Sequence, residues 1–166
     1  IKIQKALDIK VVNKIRSELK KVDNKYLKIQ KNNGLKNSAK NTYHHIPLLC
    51  KSSFSILEKI PLDKFLNKYF NGKYILNIMG AVRIRPNKES TSTQRIHRDI
   101  RSHTFGYPMT LVVICLLDDS TKNNGATILM KKSHKQIKKP SKKKFFENSI
   151  VATGKKGDLI VCLLYT

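Results

Sequence analysis

The stretch Gln94-Arg95-Ile96-His97-Arg98-Asp99 places an imidazole and a carboxylate two positions apart. Side chains at i and i+2 of an extended backbone leave the same face, so His97 and Asp99 can point at one object. A histidine and a carboxylate sharing a face supply two corners of the 2-His-1-carboxylate arrangement that holds non-haem Fe(II) in oxygenases. The pair alone is a weak signal. With 5 His and 11 Asp+Glu in 166 residues, chance gives about 0.3 such pairs.

Charge adds a second signal. The formal net charge of +23 first suggests nucleic acid or an acidic surface, but its make-up points elsewhere. The chain has 28 Lys and 6 Arg, whereas a phosphate-reading surface favours the planar fork of Arg. Most of the lysine therefore reads as solvated surface. Five of the six arginines, Arg83, Arg85, Arg95, Arg98 and Arg101, fall in the window around His97 and Asp99. In a chain that otherwise uses Lys, that clustering predicts anion binding beside the pair.

The length of 166 residues suits a single domain, 1–166, with a real core. No apolar run approaches the roughly 20 residues of a membrane span, and no signal peptide is visible. No membrane partner is expected. The chain opens on Ile1 without an initiator Met and reads as a fragment. Cys50, Cys115 and Cys162 are odd in number and widely spaced, which argues against disulfides and zinc and for reduced thiols in a cytoplasmic protein.

Helical spacing dominates the first part, 1–72. Val11, Val12, Ile15, Leu19 and Val22 form one face of a helix that Asp8 can cap. Residues 31–46 read as a loop ending in His44-His45, where adjacent side chains diverge and suit a substrate rim better than a metal. A segment over 53–60 and a helix opened by Pro61 and closed by Gly72 follow. The period then becomes two. Tyr74, Leu76, Ile78, Gly80, Val82 and Ile84 form an apolar face, predicted to pack on the helices. Asn77, Met79, Ala81, Arg83 and Arg85 form a mixed face, predicted to line a wetter pocket before Pro86 stops the strand. Strands are predicted over 109–117, 126–130 and 159–164. Asn123-Asn124-Gly125 is predicted to join the first two as an antiparallel hairpin, and the basic run 138–144 to be a solvated loop. Helices followed by antiparallel strands predict an α+β fold with a β-sandwich or jelly roll over 73–166.

The ordered series resembles the phytanoyl-CoA dioxygenase family of Fe(II)/2-oxoglutarate oxygenases. It runs from a strand ending in Arg85-Pro86 to His97-Arg98-Asp99 and through strand 109–117. Asp118-Asp119, Asn124-Gly125-Ala126-Thr127, Ser133-His134-Lys135 and Gly157-Asp158-Leu159-Ile160-Val161 follow in order. The resemblance covers 74–166 well and the N-terminal helices loosely. Lys131-Lys132 stands where the family has Pro-Gly, and no Trp is available near Ile114.

The resemblance implies N-terminal helices packed on a double-stranded β-helix (a cupin-like jelly roll), incomplete at the C-terminus. It makes His97 and Asp99 the first two ligands of Fe(II), with the third, a distal histidine, expected just beyond Thr166. His134 is tempting as that ligand, but the family uses its position structurally. The arginine that anchors 2-oxoglutarate is expected further on still, leaving the fragment itself inactive. Met79, Ala81, Arg83, Thr110, Val112 and Ile114 correspond to strand positions that help hold 2-oxoglutarate. Arg83, Arg95, Arg98 and Arg101 are the candidates to contact a substrate or cosubstrate anion. The implied activity is a dioxygenase that hydroxylates an unactivated C–H bond of a small anionic metabolite with Fe(II), 2-oxoglutarate and O2. Asp99 argues against halogenation, because chloride takes the carboxylate's place. A basic nucleic-acid-binding domain, or an iron-free member of the same fold, is the alternative. Oligomeric state is not legible.

Overall fold

The computed structural model describes residues 1–34, 41–60, 62–84, 95–99, 104 and 106–164. Its first large element is helix α1 (Ile9–Asn32), capped by Asp8, whose Oδ1 accepts from the Lys10 N–H at 2.6 Å. The expected stripe is the buried one: Val12, Ile15 and Leu19 are buried, with Val11 and Val22 packed beside them. The stripe continues through Tyr26 and Gln30 to the helix end. Short helices α2 (Phe54–Lys59) and α3 (Asp63–Phe70) follow, with a two-residue strand β2 (Thr42–Tyr43) ahead of them. Pro61 lies outside the described residues.

The main sheet has three antiparallel strands in the order β1 (Lys2–Ile3), β7 (Leu159–Leu164), β4 (Thr110–Cys115). In register Val112 faces Cys162, and Cys115 faces Leu159. Leu159, Ile160 and Val161 are all buried, as a central strand covered on both faces requires. Leu159 joins the helical core of Val12, Ile15, Tyr26, Ile46, Cys50 and Ile56, with Val113, Cys115 and Leu117 packed against it. Burial pushes the Cys115 thiol up to about 12. The three cysteines are free thiols.

Where β7 begins, Gly157 and Asp158 tie three segments together. Gly157 takes φ +90°, and a Cβ there would lie 2.8 Å from the Leu7 carbonyl oxygen, so glycine is required on both counts. The buried Asp158 carboxylate accepts from the Lys5 N–H and the Lys155 N–H, each at 2.9 Å.

Three expectations are corrected. The strands 109–117 and 126–130 do not form a hairpin. β4 pairs with β7, whereas β5 (Ile128–Met130) pairs with β6 (Ser149–Val151). Asn124 explains the difference: its Oδ1 accepts from the Thr121 N–H and its Nδ2 donates to the Asp119 carbonyl. The turn closes on itself instead of folding β4 back. Within the basic run, helix α4 (Lys142–Glu147) replaces the expected loop, and Ser141 Oγ caps it by accepting from the Lys144 N–H.

The third correction concerns the strand before the motif. Among the described residues it pairs only as β3 (Ala81–Val82) against β2, and its faces are reversed. Met79 and Ala81 pack on the helical core, while Leu76, Ile78, Val82 and Ile84 are exposed. The reversal has an electrostatic cause. Asp23 of α1 accepts from Arg83 Nη1 at 2.8 Å and from the Tyr43 hydroxyl, and the Arg83 guanidinium lies 5.8 Å from the centre of the Tyr43 ring. A part-buried carboxylate draws the arginine inward, and Met79 and Ala81 share its face.

Two stability results follow from this frame. Among the described residues, Thr42 Oγ1 is the buried side-chain polar atom that lacks a hydrogen-bond partner. An unmet buried hydroxyl costs roughly 1–3 kcal/mol. Thr42→Val, of nearly the same shape, should therefore raise the urea midpoint or leave it unchanged; a drop of more than about 1 kcal/mol would contradict this placement of the hydroxyl. At the surface, Lys155 Nζ donates to Asp119 Oδ2 at 2.8 Å and holds the Asp119 carboxyl below its ordinary range. A depressed carboxyl stabilises the fold above its unfolded pKa and loses that contribution as pH falls through the folded one. Asp119→Asn should thus flatten the acid limb of a stability–pH curve, and an unchanged acid limb would contradict the pairing.

Candidate metal centre

His97 and Asp99 lie in an irregular extended stretch, 95–99, whose burial alternates. Arg95, His97 and Asp99 are exposed, and Ile96 and Arg98 are half-buried. The i, i+2 rule therefore holds without a strand. His97 Nε2 lies 3.0 Å from Asp99 Oδ1, and His97 Nδ1 lies 2.6 Å from the Arg95 carbonyl oxygen.

Both oxygens are pure acceptors, whereas a neutral imidazole carries a single ring proton. In the tautomer that donates Nδ1–H to the Arg95 carbonyl, the Nε2 lone pair faces Asp99 Oδ1 across the space a cation would fill. Donation from Nδ1 to a backbone carbonyl is also the usual way to present the Nε2 lone pair to a metal. The separation fits a cation as well. Two ligands at about 2.1 Å and a right angle on an octahedral ion stand about 3 Å apart. His97 and Asp99 thus suit neighbouring positions on one ion.

The surroundings can be placed through β7. Burial pushes the Cys162 thiol up; of the nearby charges, the Ile1 ammonium opposes the shift and the Asp99 carboxylate adds to it. Register puts Cys162 opposite Val112, so Thr110, Val112 and Ile114 share one face of the sheet with it. All three are half-buried. The Tyr69 hydroxyl donates to the Thr110 carbonyl at 3.2 Å and links this edge to an aromatic run, Phe65, Tyr69, Phe70 and Tyr74.

The other candidate residues separate into groups. Met79, Ala81 and Arg83 make their contacts with the helical side, as described above. Arg95 contributes its carbonyl to His97, and its side chain is exposed. Arg98 Nη1 and Nη2 donate to the carbonyls of Ile137 and Lys138, at 3.2 and 3.1 Å. Arg85 and Arg101 lie outside the described residues. His134 sits in a short 3₁₀ turn (Ser133–Lys135), where burial, then Lys135, lowers its pKa. Among the described residues, no three His, Cys, Asp or Glu side chains gather as a metal cluster. The link from Arg98 to 137–138 was not legible in sequence, because nothing local marks a carbonyl as the partner of an arginine.

The family model described as Phytanoyl-CoA dioxygenase (PhyH) matches residues 2–165. No curated protein matches the chain.

Proposed function

We propose that this chain, which belongs to the phytanoyl-CoA dioxygenase family, holds Fe(II) through His97 and Asp99 and hydroxylates a small anionic molecule. Members of the family are in general Fe(II)- and 2-oxoglutarate-dependent dioxygenases. The bound iron, with 2-oxoglutarate and O2, supplies the oxidising power for a C–H bond. The observation that carries the reading is the setting of His97, with an acceptor oxygen at each ring nitrogen.

The protein's own part is positional. The Arg95 carbonyl fixes the imidazole so that Nε2 faces the ion, and Asp99 supplies a charged oxygen beside it. A third ligand is proposed to be the distal histidine expected beyond Thr166. Thr110, Val112 and Ile114 would line the cosubstrate side, a half-buried face suited to limiting water. Arg95, its side chain exposed beside the pair, and Arg101 would meet the substrate's anionic group. Met79 and Ala81, packed against the helical core, would hold the strand that leads to the motif. The finer fold follows the same logic: the three-stranded sheet and the β5–β6 pair would be parts of a double-stranded β-helix. Three free thiols support a reducing compartment such as the cytoplasm. Among the described residues no helix is long and apolar enough to cross a membrane.

The test is release of succinate from 2-oxoglutarate by the full-length protein, with Fe(II) and O2 and a panel of small carboxylates and phosphate esters. Iron-dependent release stimulated by some members of the panel is expected. Release that survives a ferrous chelator, or no release under any condition, would sink the reading.

A further inference from the structure

We propose that Arg98 is a positioning residue, which keeps His97 and Asp99 on one ion by clamping their stretch to the Ile137–Lys138 backbone. The inference rests on the reading of His97 and Asp99 as metal ligands. Residues 95–99 belong to neither helix nor strand, so no ladder of backbone hydrogen bonds fixes them. Among the described residues, the hydrogen bonds that carry this stretch to another part of the chain are the two from Arg98, to carbonyls 39 and 40 residues further on.

The geometry of the clamp suits the task. Arg98 lies between the two candidate ligands, and the alternation that turns them outward turns Arg98 inward. Its Nη1 and Nη2 bond consecutive carbonyls, at 3.2 and 3.1 Å. A planar fork held at two points fixes rotation as well as position, whereas an ammonium on a flexible stem fixes one point. Among the described residues no ion pair involves Arg98, and both its acceptors are main-chain carbonyls. The guanidinium is therefore committed to backbone geometry. A ligand pair two residues apart on irregular backbone needs such a constraint, because a rotation at residue 98 would aim His97 and Asp99 at different points.

The experiment compares full-length wild type, Arg98→Ala and Arg98→Lys, with cobalt(II) alone as a visible probe of the ligand set. The urea midpoint is followed in the same samples without metal. Arg98→Ala should weaken cobalt(II) binding by about 10–100-fold, the scale of losing a group that orients metal ligands, with a midpoint close to wild type. Arg98→Lys should recover part of the affinity, through its single donor point. Wild-type cobalt(II) affinity in Arg98→Ala overturns the positioning role, and so does a loss of affinity that follows only a collapsed midpoint. A wild type that takes up no cobalt(II) overturns the metal reading itself, which is a distinct result.

Discussion

His97→Ala should abolish iron-dependent 2-oxoglutarate turnover in the full-length protein while leaving its unfolding midpoint close to wild type. The two halves of that result have separate causes. His97 is about half exposed and its partners among the described residues are Asp99 and the Arg95 carbonyl, so the fold loses little when the ring is removed; exposed pairs contribute about 0–1 kcal/mol. The metal loses much more. Removing an outer-shell partner costs roughly 10–100-fold in affinity or activity, and removing a ligand outright should exceed that range. Asp99→Ala should match it, and the double variant should be no worse than either single one, because the two act as a unit. Turnover in His97→Ala within tenfold of wild type would mean that the imidazole is not a ligand. Paired measurements of succinate release and urea midpoint separate these outcomes.

The second large effect is on folding. Asp158→Ala should destabilise the chain by about 2–5 kcal/mol, as two amide donors lose their acceptor at roughly 1–3 kcal/mol each. The carboxylate is 3% exposed, and it accepts from the Lys5 and Lys155 N–H groups at 2.9 Å. Around it, Leu7 N–H donates to the Gly157 carbonyl and Gly157 N–H to the Leu116 carbonyl, at 3.0 and 2.8 Å. The N-terminal arm and the turn before β7 therefore meet at the Asp158 carboxylate, while the end of β4 is bonded to the Gly157 and Asp158 main chain. Asp158→Asn keeps one acceptor oxygen and should cost about half as much. Equilibrium urea unfolding reads both variants. An Asp158→Ala midpoint within about 0.5 kcal/mol of wild type would show that the two amides find other partners.

The order of difficulty in reading this chain follows from the range of each interaction. Helix α1 was legible because Asp8 and the Val12–Ile15–Leu19 stripe are local, and local geometry decides them. β4 and β7 were legible as apolar runs. Their pairing was not, because an apolar strand does not name its neighbour, and the Asn124 side chain diverted the turn that looked like a hairpin. The strand before the motif showed two faces by its period of two, but a period does not say which face is inward. Asp23, 60 residues away from Arg83, settled that. Helix α4 was hidden by Lys142, Lys143 and Lys144, which sit unfavourably at a helix N-terminus, and its Ser141 cap was the overlooked signal. Strand β1 has only two residues and exists through its pairing with β7.

The candidate site divides along the same line. The juxtaposition of His97 with Asp99 needs only extended backbone between neighbours, so spacing was enough to expect it. The attachments of Arg83 to Asp23 and of Arg98 to the 137–138 carbonyls are non-local, and sequence offered these arginines only as a cluster.

The most direct test is an anaerobic titration of the full-length protein with Fe(II), followed by 2-oxoglutarate, read by visible absorption. Chelation of ferrous ion by 2-oxoglutarate gives a charge-transfer band that neither component shows alone. The band is expected in wild type at about one iron per chain, and absent from His97→Ala and Asp99→Ala. A band of equal strength in those variants, or none in wild type, would contradict an iron centre at His97 and Asp99.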